Sequence, residues 1–175
     1  MRIFSLLILV VLFFQGCAYR PVGKGVNFSS VYIAPVKNKI DVAVDYSSIS
    51  ELQKYFPDID AQIRSKLSGR FVFDGNVKTV NKDKADLILH VELLSYYKTP
   101  MRFSEQNEVE GYRISVIANV YGEDRDGKQV YAPKRLTGVA DYILTGSNAV
   151  SESDAVLSAI DDLVKRIVEY VVEVW

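Results

Sequence analysis

The stretch from Asp86 to Tyr97 sets Leu87, Leu89, Val91 and Leu93 at every second position, with Ile88, His90, Glu92, Leu94 and Tyr96 between them. Successive side chains of a strand point to opposite faces, so this spacing predicts a strand with one wholly apolar face and one mixed face. The apolar face has to be covered by other elements. Cys17 is the only cysteine, so no internal disulfide contributes and a hydrophobic core must hold the fold together. The mixed face is expected toward solvent or a partner.

Two segments have the period needed to cover that face. Leu52, Tyr55, Phe56, Ile59, Ile63 and Leu67 recur at spacings of three and four, which predicts an amphipathic helix. Pro57 suits a first helical turn and Asp58 and Asp60 suit a helix N-terminus. The main helix is therefore expected over 57–68, after a turn or kinked extension at 50–56 and before a stop at Gly69. The clearer helix follows Ser151, a candidate N-cap with Asp154 in the first turn. Val156, Ile160, Leu163, Val164, Ile167, Val171 and Val174 form its apolar stripe.

The remaining apolar runs read as strands. Val31 to Val36 is a first strand that Pro35 confines to an edge or brings to an end. Phe71-Val72-Phe73 and Val77 to Val80, around Asp74-Gly75-Asn76, read as a short extended excursion with a turn. Gly111 to Tyr121 predicts a strand with Tyr112, Ile114, Val116, Ala118 and Val120 inward. A hairpin turn at 123–128 leads to a last strand over 129–144, bent near Pro133. The expected fold is α+β: a two-layer sandwich with two helices packed on one face of a four-stranded, mostly antiparallel mixed sheet.

The N-terminus carries an address. Arg2 precedes the apolar run Ile3 to Phe14, too short to cross a bilayer comfortably and the right length for a secretory signal. Gln15-Gly16-Cys17 closes it and resembles the lipobox of bacterial lipoproteins, with Cys17 as the lipid-attachment residue. Ala18 after it, rather than Asp, favours the outer membrane in that class. The expected organisation is a signal peptide at 1–16, a lipidated tether at 17–30 and one α+β domain over 31–175. Losing residues 1–16 removes one basic residue, so the mature chain has 20 basic and 22 acidic residues and a charge of about −2. No basic field points to nucleic acid.

Catalytic constellations are scarce. His90, the only histidine, shares a strand face with Glu92, but no nucleophile or second histidine accompanies the pair. One His and one Cys make no zinc set, and no phosphate-cradling glycine loop stands at a helix start. No metal or cofactor is expected, and the chain reads as a non-enzyme. Lys98 and Arg102 flank the end of one strand, and Lys134 and Arg135 lie near the start of another. With Tyr96, Tyr97 and Tyr131 nearby, these four are candidates for pairing with phosphates of an anionic glycolipid.

Several short motifs in order carry a resemblance. Gly16-Cys17-Ala18-Tyr19-Arg20, Val31 to Val36 ending near Asn38, Lys84 to Leu89, Ser95-Tyr96 with Thr99-Pro100, and Ala159 to Leu163 through Ile167-Val168 are similar to the LptE-type lipopolysaccharide-assembly lipoproteins. The family usually has Gly where this chain has Ala18. The resemblance implies an outer-membrane lipoprotein that plugs a β-barrel of the LptD type, assists its assembly and contacts lipopolysaccharide. An accessory lipoprotein of another envelope lipid-transport complex is the alternative.

Overall fold

The computed structural model describes residues 28–40 and 57–173. The segment 1–27 with Cys17, the turn expected at 50–56 and Val174 lie outside the described residues. In chain order the elements are β1 (Ser30–Ile33), β2 (Lys37–Asn38), α1 (Ile59–Asp74), β3 (Lys78–Thr79), a 3-10 turn (Lys82–Lys84), β4 (Leu87–Phe103), β5 (Val109–Glu123), β6 (Gln129–Ile143) and α2 (Glu152–Glu173).

The sheet has six strands rather than the four expected, in the order β3-β1-β4-β5-β6, with β2 also paired to β4. β1 runs parallel to β3 and β4, and β2 runs parallel to β4. The long strands β4, β5 and β6 form an antiparallel meander. Two local causes add the extra strands. Pro35 has no N–H to donate, so β1 ends at Ile33. The chain nevertheless stays beside β4, through Ala34 N–H to Leu89 O at 2.9 Å and Lys39 N–H to Leu93 O at 2.8 Å, and resumes as β2. β3 is two residues long, too short to show a period of two.

The α1 helix departs from its expected end. It runs through Gly69 and stops at Gly75, whose φ of 75° is left-handed and whose N–H donates to Phe71 O at 3.1 Å. Phe71 to Phe73 is therefore helical, not extended. Ile59, Ile63, Leu67 and Phe71, four apart, are all buried, and seating Phe71 outweighs an interior glycine that costs only about 1 kcal/mol. In α2, Ser151 Oγ accepts the Asp154 N–H at 3.2 Å, the expected N-cap. Its stripe Val156, Ile160, Leu163, Val164, Ile167 and Val171 is buried.

Both helices share one hydrophobic cluster with Leu87, Leu89, Val91 and Leu93 of β4 and Ile114, Val116, Ala118 and Val120 of β5. The helices lie on the apolar face, as the alternation required. One phase error is corrected. A bulge between Leu93 and Ser95 inserts Leu94, so Tyr96 turns into the core and Ser95 and Tyr97 take the other face. A second bulge sets Ala132 and Pro133 opposite Tyr121, the bend expected near Pro133.

Candidate functional site

The bulge in β4 decides what Lys98 can do. With the phase shifted, Lys98 falls on the helix side, where its ammonium meets Glu152 in the first turn of α2 at 2.5 Å. Glu152 also accepts the hydroxyls of Tyr142 at 3.1 Å and Tyr96 at 3.3 Å. Lys98 Nζ lies 4.8 Å from the centre of the Tyr112 ring. Burial, with the Glu152 charge beside it, pushes the Tyr142 hydroxyl up to about 12. The group is a clasp joining β4, β6 and α2, and a carboxylate at a helix N-terminus is also favoured by the helix dipole.

Arg102 stands apart from that clasp. Its guanidinium pairs with Glu110 across the β4–β5 hairpin at 3.2 Å; Arg102 is exposed and Glu110 half-buried. Met101 and Phe103 on either side are exposed large apolar residues, as are Leu144 and Val150 beyond the end of β6. The end of the hairpin thus combines a cation with uncovered apolar surface. Acidic Glu105 and Glu108 sit in the connecting loop.

Lys134 and Arg135 lie elsewhere again. Lys134 pairs in register with Val120, whereas Lys98 pairs with Ile114, so six residues of β5, about 20 Å, separate them along the strand. Lys134 Nζ sits 4.6 Å from the centre of the Tyr170 ring of α2. Arg135 has the opposite phase and projects on the other face. The four cations singled out in the sequence therefore form no single site.

The mixed face of the sheet carries fixed polar pairs that sequence reasoning missed. Glu92 is buried and held by Lys39 at 2.8 Å, and that hydrogen bond keeps its carboxyl below the usual range against the cost of burial. His90 stacks on Tyr121 with ring centres 4.7 Å apart, and its Nε2 lies 3.2 Å from Glu123, not Glu92. The suspected His90 and Glu92 pair is thus divided between two different partners. Arg113 forms a fork with Asp141 at 2.6 and 2.7 Å. The available signal was cross-strand opposition of unlike charges, which needs a register the sequence does not supply. Among the described residues no group of His, Cys, Asp and Glu is arranged to hold a metal ion, and no helix is long and apolar enough to cross a membrane.

A family model described as LptE, lipopolysaccharide-assembly, matches residues 28–173, nearly all of the described fold. The chain belongs to the LptE family. Membership gives a role in lipopolysaccharide assembly that is not enzymatic. Among solved structures, the hypothetical protein CT253 from Chlamydia trachomatis is 15% identical, with 82% of this chain and 97% of that one covered and a TM-score of 0.54. An uncharacterized lipoprotein B from Nitrosomonas europaea is also 15% identical, covering 87% and 90% with a TM-score of 0.54. These likenesses establish that the LptE member shares their fold. No curated protein matches the chain significantly.

Proposed function

We propose that the protein is a lipid-anchored outer-membrane component of lipopolysaccharide transport, acting as plug and assembly factor for a β-barrel of the LptD type. The observation that carries this reading is the family match over residues 28–173. In this reading residues 1–16 direct export, Cys17 carries the lipid, 17–30 form the tether and 31–175 form the working domain. Two or more acyl chains on Cys17 give a stable hold without a membrane-spanning helix.

Lipopolysaccharide is an anionic amphiphile, and the hairpin end has the matching chemistry. Exposed Arg102 offers charge to a phosphate, countered by half-buried Glu110, and Met101 and Phe103 offer apolar contact to acyl chains. Lys98 serves the clasp with Glu152, and Lys134 and Arg135 lie well away along the sheet. The protein acts by shape and contact.

The test is affinity isolation of the tagged, full-length protein from envelopes in mild detergent. Stoichiometric recovery of an LptD-type barrel is expected. Recovery only as a free monomer, or with an inner-membrane ATPase complex, overturns the assignment.

A further inference from the structure

Part of the outer edge of β6 is an open window among the described residues. In an antiparallel ladder, alternate residues turn their N–H and C=O toward the neighbouring strand and away from it. Leu144 N–H donates back to Glu110, whereas Val139 N–H donates outward to Asp162 of α2 at 2.9 Å. The odd-numbered residues of this part of β6 therefore face outward. Below the window, Tyr170 Oη donates to Ala132 O at 3.0 Å. Above it, Asp162 holds Val139, and Val150 N–H donates to Ile143 O at 3.2 Å. Between Ala132 and Val139, the outward backbone groups of Arg135 and Thr137 have no partner among the described residues.

That window opens onto a surface recess of about 540 Å³ between β6 and α2, bordered by Lys134, Arg135, Thr137, Arg166, Glu169 and Tyr170. Arg166 is held by Asp162 at 2.8 Å, and Glu169 faces Lys165 at 3.6 Å. Lys134 and Arg135 have no carboxylate partner among the described residues, and they stand on opposite sides of the strand.

We propose that this window docks an extended, acidic segment of a partner polypeptide, which adds to β6 as a short strand at Arg135 and Thr137. The edge presents carbonyls as well as amides, so its occupant must supply donors and acceptors alternately. A peptide backbone does this, and a phosphate, all acceptor, does not. Lys134 and Arg135 then meet carboxylates on the two faces of the added strand, which sets the sign of the partner's charge. A second copy of this chain is disfavoured, because pairing β6 with itself sets these cations against their counterparts. Tyr170 and Asp162 close both ends and limit the added pairing to a few residues. The inference does not depend on the barrel assignment and fails or stands separately from it.

The test uses the full-length protein in detergent with three ten-residue probe peptides: a Glu-Val peptide repeating Glu-Glu-Val-Val, which puts carboxylates on both faces of a strand, a Lys-Val peptide repeating Lys-Lys-Val-Val, and the Glu-Val peptide with every backbone nitrogen methylated. The Glu-Val peptide is expected to bind and to slow hydrogen exchange at the Arg135 and Thr137 amides by about tenfold or more. Thr137→Pro removes an outward donor and spares the β5 ladder, so it weakens binding about tenfold while the melting temperature holds. Lys134→Glu with Arg135→Glu reverses the preference to the Lys-Val peptide, an independent readout should the proline variant fold poorly. Absence of protection at the two amides overturns the proposal. So does equal binding of the N-methylated peptide, which has no N–H to give the edge, or equal binding by the charge-reversed variant.

Discussion

Asp86 fastens the start of β4 to the start of β1. Its carboxylate accepts the Ser30 hydroxyl at 2.7 Å, the Ser29 hydroxyl at 2.9 Å and the Ser29 N–H at 3.1 Å, and meets Arg125 at 2.9 Å. The Ser30 bond leads, with Ser29 and Arg125 adding, and together they lower its carboxyl to about 2 from 3.8. A carboxyl held low in the fold binds its proton more readily in the unfolded chain. Its contribution is fully present above about pH 4 and is lost as the pH falls toward 2. The urea midpoints of the wild type and Asp86→Asn should therefore differ by a constant amount at neutral pH and converge between pH 4 and 2. A gap that persists at pH 2 contradicts the account. Glu152 likewise fastens separate elements, β4 and β6 to α2. Glu152→Ala removes the carboxylate that Lys98, Tyr142 and Tyr96 share and should cost about 2–4 kcal/mol in chemical denaturation. Pairing Lys98→Met with Glu152→Leu should recover most of that loss. The Glu152 pairing was not legible in the sequence, because a bulge of one residue decides which way Lys98 points.

At the scale of elements, α2 crosses β6 closely at Gly138. A Cβ on Gly138 would overlap Ala159 O and lie 2.5 Å from Leu163 Cβ, backbone and branch point that cannot swing aside. Gly138→Ala should separate the helix from the strand and destabilise by about 3 kcal/mol. Gly69 gives the opposite sign. It sits inside α1, and a methyl group there would meet nothing within 4 Å, so Gly69→Ala should stabilise by about 1 kcal/mol. Thermal or urea unfolding of the two variants checks both signs at once. The sequence made Gly69 a stop because glycine commonly ends helices. The stop belongs to Gly75, since only there does the backbone turn left-handed and only there has Phe71 already reached the core.

Across the whole molecule, the two ends of the sheet have different chemistry. Val31 of β1 pairs beside Leu87 at the start of β4, and the hairpin loop at 104–108 lies beyond the other end of that 17-residue strand, about 55 Å away. The described chain therefore begins far from the exposed apolar end. From Cys17 to Phe28 the chain spans at most about 40 Å, which bounds how far the fold can stand from the lipid proposed on Cys17. Met101→Ser with Phe103→Ser should leave stability within about 1 kcal/mol, because neither side chain is buried. The same double variant should retain less lipopolysaccharide through size-exclusion chromatography in detergent. Unchanged retention counts against the hairpin end as the lipid contact.

The alternation from Leu87 to Leu93, the α2 stripe and the inward set from Tyr112 to Val120 were determined by sequence alone, since each is a local period that one apolar core must satisfy. The α+β class and the ordered motifs of the family followed from them. The two short parallel strands, the order of the sheet, the clasp at Glu152 and the open window on β6 were decided only by tertiary structure. Each depends on register, and register is set by partners dozens of residues away and by single-residue bulges, to which a period of two or of 3.6 is blind.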